Sequence, residues 1–231
     1  MFVHPWIYSD GEWSSVQAVW HRWQALNVGV LAFVSSLIAF NISLYIAEKQ
    51  RQRDFQASKA FLPDALSQIT TYLKSSAKFL VSEWSDSPKV PVTDQLPKLS
   101  RDYKRVFQDC IRHAEPQVGD CLARVLMRLQ VHTSRLNDYR EQKNSANWIG
   151  PSKLTTITYL YRVGELQAWV NRLFPFARSL EALDDSPLQW ADFKQAYANL
   201  DLWPDDIWIN DRDTLEGFTK RAIRRADPFG D

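Results

Sequence analysis

The longest apolar stretch of the chain lies between Arg22 and Glu48 and carries no charged residue. As an α-helix, residues 25–47 would be about 34 Å long, which suits one crossing of a hydrocarbon core of about 30 Å with slight tilt. The buried helix of a soluble protein seldom runs this far without a charge on any face. The pattern therefore predicts a single transmembrane helix over residues 25–47.

Cations follow this stretch rather than precede it. Lys49, Arg51 and Arg53 come directly after the predicted span. A secretory signal peptide has the reverse order, with positive charge before a shorter apolar region and a cleavage site after it. By the positive-inside rule, residues 1–24 form an external or interfacial segment and the rest of the chain is cytoplasmic. We therefore expect a single-pass protein of a bacterial inner membrane, with its N-terminus outside.

Small residues recur at steps of four and three along the predicted span. They are Ala25, Gly29, Ala32, Ser36, Ala39 and Ser43, which we call the small-residue seam. In lipid, helices associate by close backbone approach at small residues. The seam predicts a homo-oligomer, and the alternative is that the stripe arose by chance in a helix that contacts only membrane lipid.

Three polar residues form a second line on the same helix. Asn27, Asn41 and Glu48 share this line. An asparagine in hydrocarbon is costly unless it is paired, so we expect these side chains to face another helix or water. They are the residues expected at an interface or along a narrow pore.

Beyond the span the spacing of apolar residues is helical. Apolar side chains recur at steps of three and four from Leu62 onward, and alternation with a period of two is nowhere sustained. The sequence therefore predicts an all-α protein with four or five helices between Leu62 and Leu200 in an up-and-down bundle. Its segments are a juxtamembrane helix over 48–61, a bundle over 62–231, a loop near 85–96 and a C-terminal helix over 214–226.

Prolines and capping residues mark the helix starts. Pro63 predicts either a kink or a new helix, because proline lacks a backbone donor and clashes with the preceding turn. Ser186 and Pro187 form a typical start, with a cap followed by proline at the first helical position. Asp213 and Glu216 have the spacing of a capping box.

A set of arginines downstream of the loop could form a basic patch. Its members are Arg105, Arg112, Arg124, Arg128 and Arg135. A solvated charged face is an equally good interpretation. Because 28 basic residues nearly cancel 27 acidic ones, no global field attracts nucleic acid. Anionic lipid headgroups are the more fitting partner for such a patch.

The search for catalytic motifs is negative. The chain contains no HExxH, CxxC, GxxxxGK[ST], GxGxxG or GxSxG pattern, so we expect no catalytic, metal or cofactor site and no cofactor. Arg128 and His132 share one helix face, but a nuclease centre would need further groups from a facing helix. His132 interrupts an apolar helix face and is interpreted as a hydrogen-bonded core histidine.

The layout resembles that of small bacterial single-pass proteins with a helical cytoplasmic bundle, a plan shared by some membrane effectors of phage defence. The resemblance concerns architecture only. The leading hypothesis is a non-enzymatic, self-associating membrane protein whose bundle binds a protein partner or a signal. The alternative is a pore-forming or membrane-permeabilising effector of a defence or toxin system. A third hypothesis, a membrane-tethered enzyme, has no motif in its favour.

Overall fold

The chain divides into two compact units, Met1–Arg51 and Gln52–Asp231. The computed structural model describes residues 13–84, 99, 102–143, 153–210 and 213–225. Nearly all regular structure in these ranges is α-helical, which confirms the all-α fold class.

Seven helices and two short strands occur in the described part of the chain. They are α1 Trp13–Lys59, α2 Leu62–Trp84, α3 Asp102–His113, α4 Pro116–Lys143, α5 Lys153–Ala177, α6 Trp190–Asn199, β1 Trp208–Asn210, β2 Asp213–Thr214 and α7 Leu215–Arg224. The five helices α2 to α6 confirm the number predicted between Leu62 and Leu200. The loop predicted near 85–96 lies outside the described residues.

The first unit contains most of α1. This helix is long and apolar enough to cross a membrane, judged by length and composition. Every described side chain from His21 to Gln50 is exposed. The helix begins at Trp13, so the second half of the predicted external segment 1–24 is helical, while residues 1–12 lie outside the described residues.

In the second unit, α5 is the central helix. Buried side chains lie all around it rather than on one face, including Ile157, Leu160, Val163 and Val170, each without exposed surface. A helix that is apolar on every side must be covered on every side. Accordingly, α5 packs against α2, α4, α6, α7 and β1.

The apolar faces predicted for α2 and α4 are buried against this centre. The residues that cover α5 and its neighbours at steps of three, four or seven are Leu62, Leu66, Ile69, Leu73 and Leu80 on α2, and Leu122, Val125, Leu129 and Leu136 on α4. Their burial confirms the one-sided core faces read from the sequence.

The end of α1 belongs to the second unit. Phe55 lies 6.4 Å from Phe176 between ring centroids, and the Nζ atom of Lys59 lies 4.1 Å from the centroid of the same ring. Lys59 is buried, and desolvation lowers the pKa of its amine. The helix then ends in a turn at residues 60–61, and α2 starts one residue before Pro63, as the proline predicted.

The predicted start of α6 at Ser186 and Pro187 is wrong. The helix begins at Trp190, and the backbone N–H of Gln189 donates to the carboxylate of Asp192 at 2.7 Å. Ser186 is held in the preceding loop, because its N–H donates to Asp184 and its carbonyl accepts from Arg172. Tertiary contacts to Arg172 therefore moved the helix start by three residues.

The predicted capping box of Asp213 and Glu216 is also wrong. Thr214 is the N-cap of α7, and its Oγ1 accepts from the N–H of Gly217 at 3.3 Å. Asp213 instead lies in β2, which pairs antiparallel with β1, and its carboxylate forms a salt bridge with Arg221. Glu216 pairs with Lys220. The small β-hairpin was not predicted, because two and three residues are too few to show alternation.

Candidate functional site

All six residues of the small-residue seam lie on α1 with exposed side chains or, at Gly29, an exposed backbone. A Cβ atom added at Gly29 would meet nothing within 4 Å. Because α1 is one unbroken helix in this range, the steps of four and three do place the seam along a single face. The seam is therefore an open strip on the isolated chain.

Two polar side chains of α1 donate to backbone carbonyls one turn earlier in the helix. Ser36 Oγ donates to the carbonyl of Ala32, and Asn41 Nδ2 donates to the carbonyl of Leu37, both at 2.8 Å. Such back-bonding lowers the cost of a polar side chain in an apolar setting. The second N–H of Asn41 Nδ2 and the side-chain oxygen of Asn41 are left for outside partners.

Asn41 shares its line on α1 with Asn27 and Glu48. Glu48 forms a salt bridge with Arg51, with Oε1 at 2.8 Å from Nη2, so its charge is already compensated one turn away. The side chain of Asn27 lies outside the described residues. At about 100° per residue, Asn41 is turned about 140° from Ser36. A neighbouring helix that packs on the seam would therefore face away from Asn41.

In the second unit a cleft of about 210 Å³ lies between α4 and α5. Its polar lining consists of Arg128, His132 and Arg135 from α4 and Tyr159, Arg162 and Glu165 from α5. Helix α4 supplies these groups from one face, because positions 128, 132 and 135 are four and three residues apart. The cleft is thus lined with charge from both helices.

Glu165 bridges two arginines across the cleft. Its Oε1 accepts from Arg128 Nη1 at 2.7 Å, and its Oε2 accepts from Arg162 Nη1 at 2.9 Å. The carboxylate side chain is only 13% exposed, so it is well shielded from solvent. Charge-assisted bonds of this kind fix the planar guanidinium groups in defined orientations. The carboxylate of Glu165 therefore holds the guanidinium groups of Arg128 and Arg162 in position.

His132 lies in the wall of this cleft. Its Nε2 atom is buried and has no hydrogen-bond partner among the described residues, so the expected hydrogen bond at this atom is not found. The ring contacts Tyr72 edge-on, with centroids 5.8 Å apart. Burial, reinforced by the positive charge of Arg135, lowers the pKa of His132 to about 4. The imidazole is therefore neutral near pH 7.

The predicted basic patch is divided by the fold. Arg105 lies 4.0 Å from the carboxylate of Asp109, and Arg124 lies over the ring of Trp169 at 5.9 Å from its centroid. Arg112 is exposed near the end of α3. Of the five arginines, only Arg128 and Arg135 line the cleft.

The contributions of α5 to the cleft were missed in the sequence. Arg162 and Glu165 are charged residues in a helix that is otherwise almost entirely apolar or buried. Charged groups in such a helix are expected to be paired, and this signal could have nominated both. The pairing of Glu165 with Arg128 could not have been found by spacing, because Arg128 lies on another helix.

The described side chains can be compared with the requirements of a metal site and of a reactive thiol. Within the described residues no group of three or more His, Cys, Asp or Glu side chains could hold a metal ion. The two cysteines, Cys110 and Cys121, are buried free thiols, and burial raises the pKa of Cys110 to about 11. The thiolate form needed for reactivity is thus disfavoured.

The chain matches no protein-family model, and neither the curated proteins nor the solved structures gave a significant match.

Proposed function

We propose that this protein is a self-associating, single-pass membrane protein whose helical bundle binds a partner or a signal in the cytoplasm. The observation that carries the proposal is the exposed apolar surface of α1. None of its most apolar window is buried within the structure, and a surface of this size needs lipid or another protein to cover it. A membrane supplies such cover along the whole helix.

Two observations favour an anchor over the rival interpretations. A core helix of a soluble protein would be buried, whereas the described side chains from His21 to Gln50 are exposed. A signal peptide ends at a cleavage site soon after its apolar region, whereas α1 continues as one helix through the cationic flank to Lys59. The buried contacts of Phe55 and Lys59 with Phe176 make its last turns part of the bundle unit.

The orientation and the membrane are proposed from charge. Lys49, Arg51 and Arg53 follow the apolar stretch closely, and short cationic flanks stay on the cytoplasmic side of a bacterial inner membrane. The bundle is then cytoplasmic. Its partner or signal would reach it from that compartment.

Self-association is proposed through the small-residue seam. An exposed stripe of small side chains allows another helix to approach closely, and packing is the main force between helices in lipid. In the pore alternative, Asn27, Asn41 and also Glu48 would face water. Asn41 and Glu48 each have a partner in their own helix, which supports association without a pore.

The mass of the full-length protein in neutral detergent tests this association. We expect a multimer that a paired change of Gly29 and Ser36 to leucine converts to monomer, because two large side chains block the close approach. A matched control changes Val30 and Val34 to leucine on the opposite face and should leave the mass unchanged. An equal effect of both pairs, or none of either, would contradict the seam.

A further inference from the structure

The cleft between α4 and α5 has a surplus of positive charge. Three arginines and one carboxylate line it, and His132 is neutral near pH 7 because of its lowered pKa. The residues that line the cleft therefore carry a formal net charge of +2. A phosphomonoester carries a charge of about −1.5 to −2 at neutral pH, which matches this surplus.

The two arginines that α4 contributes to the cleft, Arg128 and Arg135, have N–H donors that are not used within the described residues. Arg128 gives one N–H to Glu165, and Arg135 forms no salt bridge with any described residue. A guanidinium has five N–H donors in a fixed fork that fits phosphate oxygens. Because Glu165 already orients the fork of Arg128, part of the entropic cost of binding an anion has been met in the free protein.

The rest of the cleft is apolar and small. Met127 and Val131 are 54% and 44% exposed and line the cleft on the α4 side, and Tyr159 faces them from α5. A volume of about 210 Å³ is below the range of about 300 to 1,000 Å³ typical of drug-sized ligands. The cleft thus suits a compact molecule with one flat or apolar group beside its anionic group.

From the charge surplus, the unused guanidinium donors and the small apolar wall, we infer that this cleft binds a compact phosphomonoester, with the phosphate on Arg128 and Arg135 and an apolar group against Met127, Val131 and Tyr159. The inference rests on the proposed function, because it names the chemistry of the signal that the bundle receives.

Calorimetric titration of the full-length protein in neutral detergent with phenyl phosphate tests the inference. We expect saturable binding at one site per chain, weaker binding of inorganic phosphate, which lacks the apolar group, and no binding of phenol, which lacks the charge. Absence of saturable binding of phenyl phosphate at millimolar concentration would overturn it.

Variants localise the binding. Arg135→Gln should weaken phenyl phosphate binding at least tenfold, and Arg135→Lys should restore part of the loss by returning the charge without the fork. The matched control Arg105→Gln removes an exposed arginine from α3 and should leave the affinity unchanged. Equal losses for Arg135→Gln and Arg105→Gln would show nonspecific attraction and overturn the site.

A second titrant distinguishes the two sources of such a ligand. If dihexanoyl phosphatidate binds more tightly than phenyl phosphate and is equally sensitive to Arg135→Gln, the phosphomonoester is a lipid headgroup; the reverse order indicates a soluble molecule. The mass of each sample, measured alongside, reports self-association independently of binding. Failure of the cleft and failure of the proposed assembly are therefore separate results.

Discussion

His132 is the residue whose protonation should report most directly on the packing of the bundle. Its pKa in the folded chain is lowered to about 4 by burial and by Arg135, while an unfolded histidine titrates near 6.5. As the pH falls below about 6.5, His132 becomes protonated in the unfolded chain but stays neutral in the folded chain. The contribution of His132 to the free energy of unfolding is therefore fully present above this pH and decreases toward pH 4.

We predict that this single group lowers the free energy of unfolding by at most about 3 kcal/mol between pH 7 and pH 4. Urea unfolding followed by tryptophan fluorescence at pH 7, 6 and 5 gives the slope. His132→Phe keeps an aromatic ring against Tyr72 but cannot titrate, so it should show a flatter dependence. Equal slopes for the two proteins would mean that His132 is not shielded as described.

At the scale of elements, α5 and α6 pack closely at Gly164. A Cβ atom added at Gly164 would lie 2.4 Å from Cε1 of Tyr197. Tyr197 cannot easily yield, because it is fully buried and its hydroxyl is hydrogen-bonded to Thr219 at 2.7 Å. We predict that Gly164→Ala destabilises the fold by about 1 to 3 kcal/mol, measured by urea unfolding.

Gly119 provides the control for this substitution. It lies in the first turns of α4, where an added Cβ would be 3.5 Å from the carbonyl of Ile111 and 3.9 Å from Ala114, which is ordinary contact. Alanine there restricts the unfolded chain without a clash, so Gly119→Ala should be neutral or stabilising by up to about 1 kcal/mol. Similar losses at both glycines would contradict the tight packing at Tyr197.

Helix boundaries that depend on local chemistry could be predicted from the sequence. Pro63 marks a helix start to within one residue, because the missing N–H of proline acts on its own turn. The caps near Ser186 and Asp213 could not, since Arg172 and Arg221 engage these segments from other turns or helices. A side chain that is bonded to a tertiary partner is not available to cap a helix, so local sequence alone does not identify the N-cap.

The cleft between α4 and α5 also depends on tertiary contacts that local sequence does not predict. The spacing of Arg128 and His132 predicts a common face of α4, and in the structure both residues line the cleft together with Arg135. The pairing of Arg128 with Glu165 spans 37 positions, and no local pattern encodes which face of α5 meets α4. Part of the α4 side of the candidate site could therefore be predicted from the sequence, whereas the α5 side follows only from the packing of the two helices.

At the scale of the whole molecule, the environment of α1 decides what the protein can do. Its apolar residues are exposed within the chain, and the roles proposed for the small-residue seam, the cationic flank and the helical bundle all require a bilayer around α1. Water would instead leave this surface as an aggregation hazard. Integral association with a membrane is thus the central claim.

Extraction of membranes from expressing bacterial cells with alkaline carbonate tests this claim most directly. Carbonate releases proteins held by charge, whereas a spanning helix stays because its apolar residues would have to enter water. We predict that the full-length chain remains in the membrane pellet and that a fragment from Asp54 onward is soluble. Release of the full-length chain into the carbonate supernatant would contradict the account.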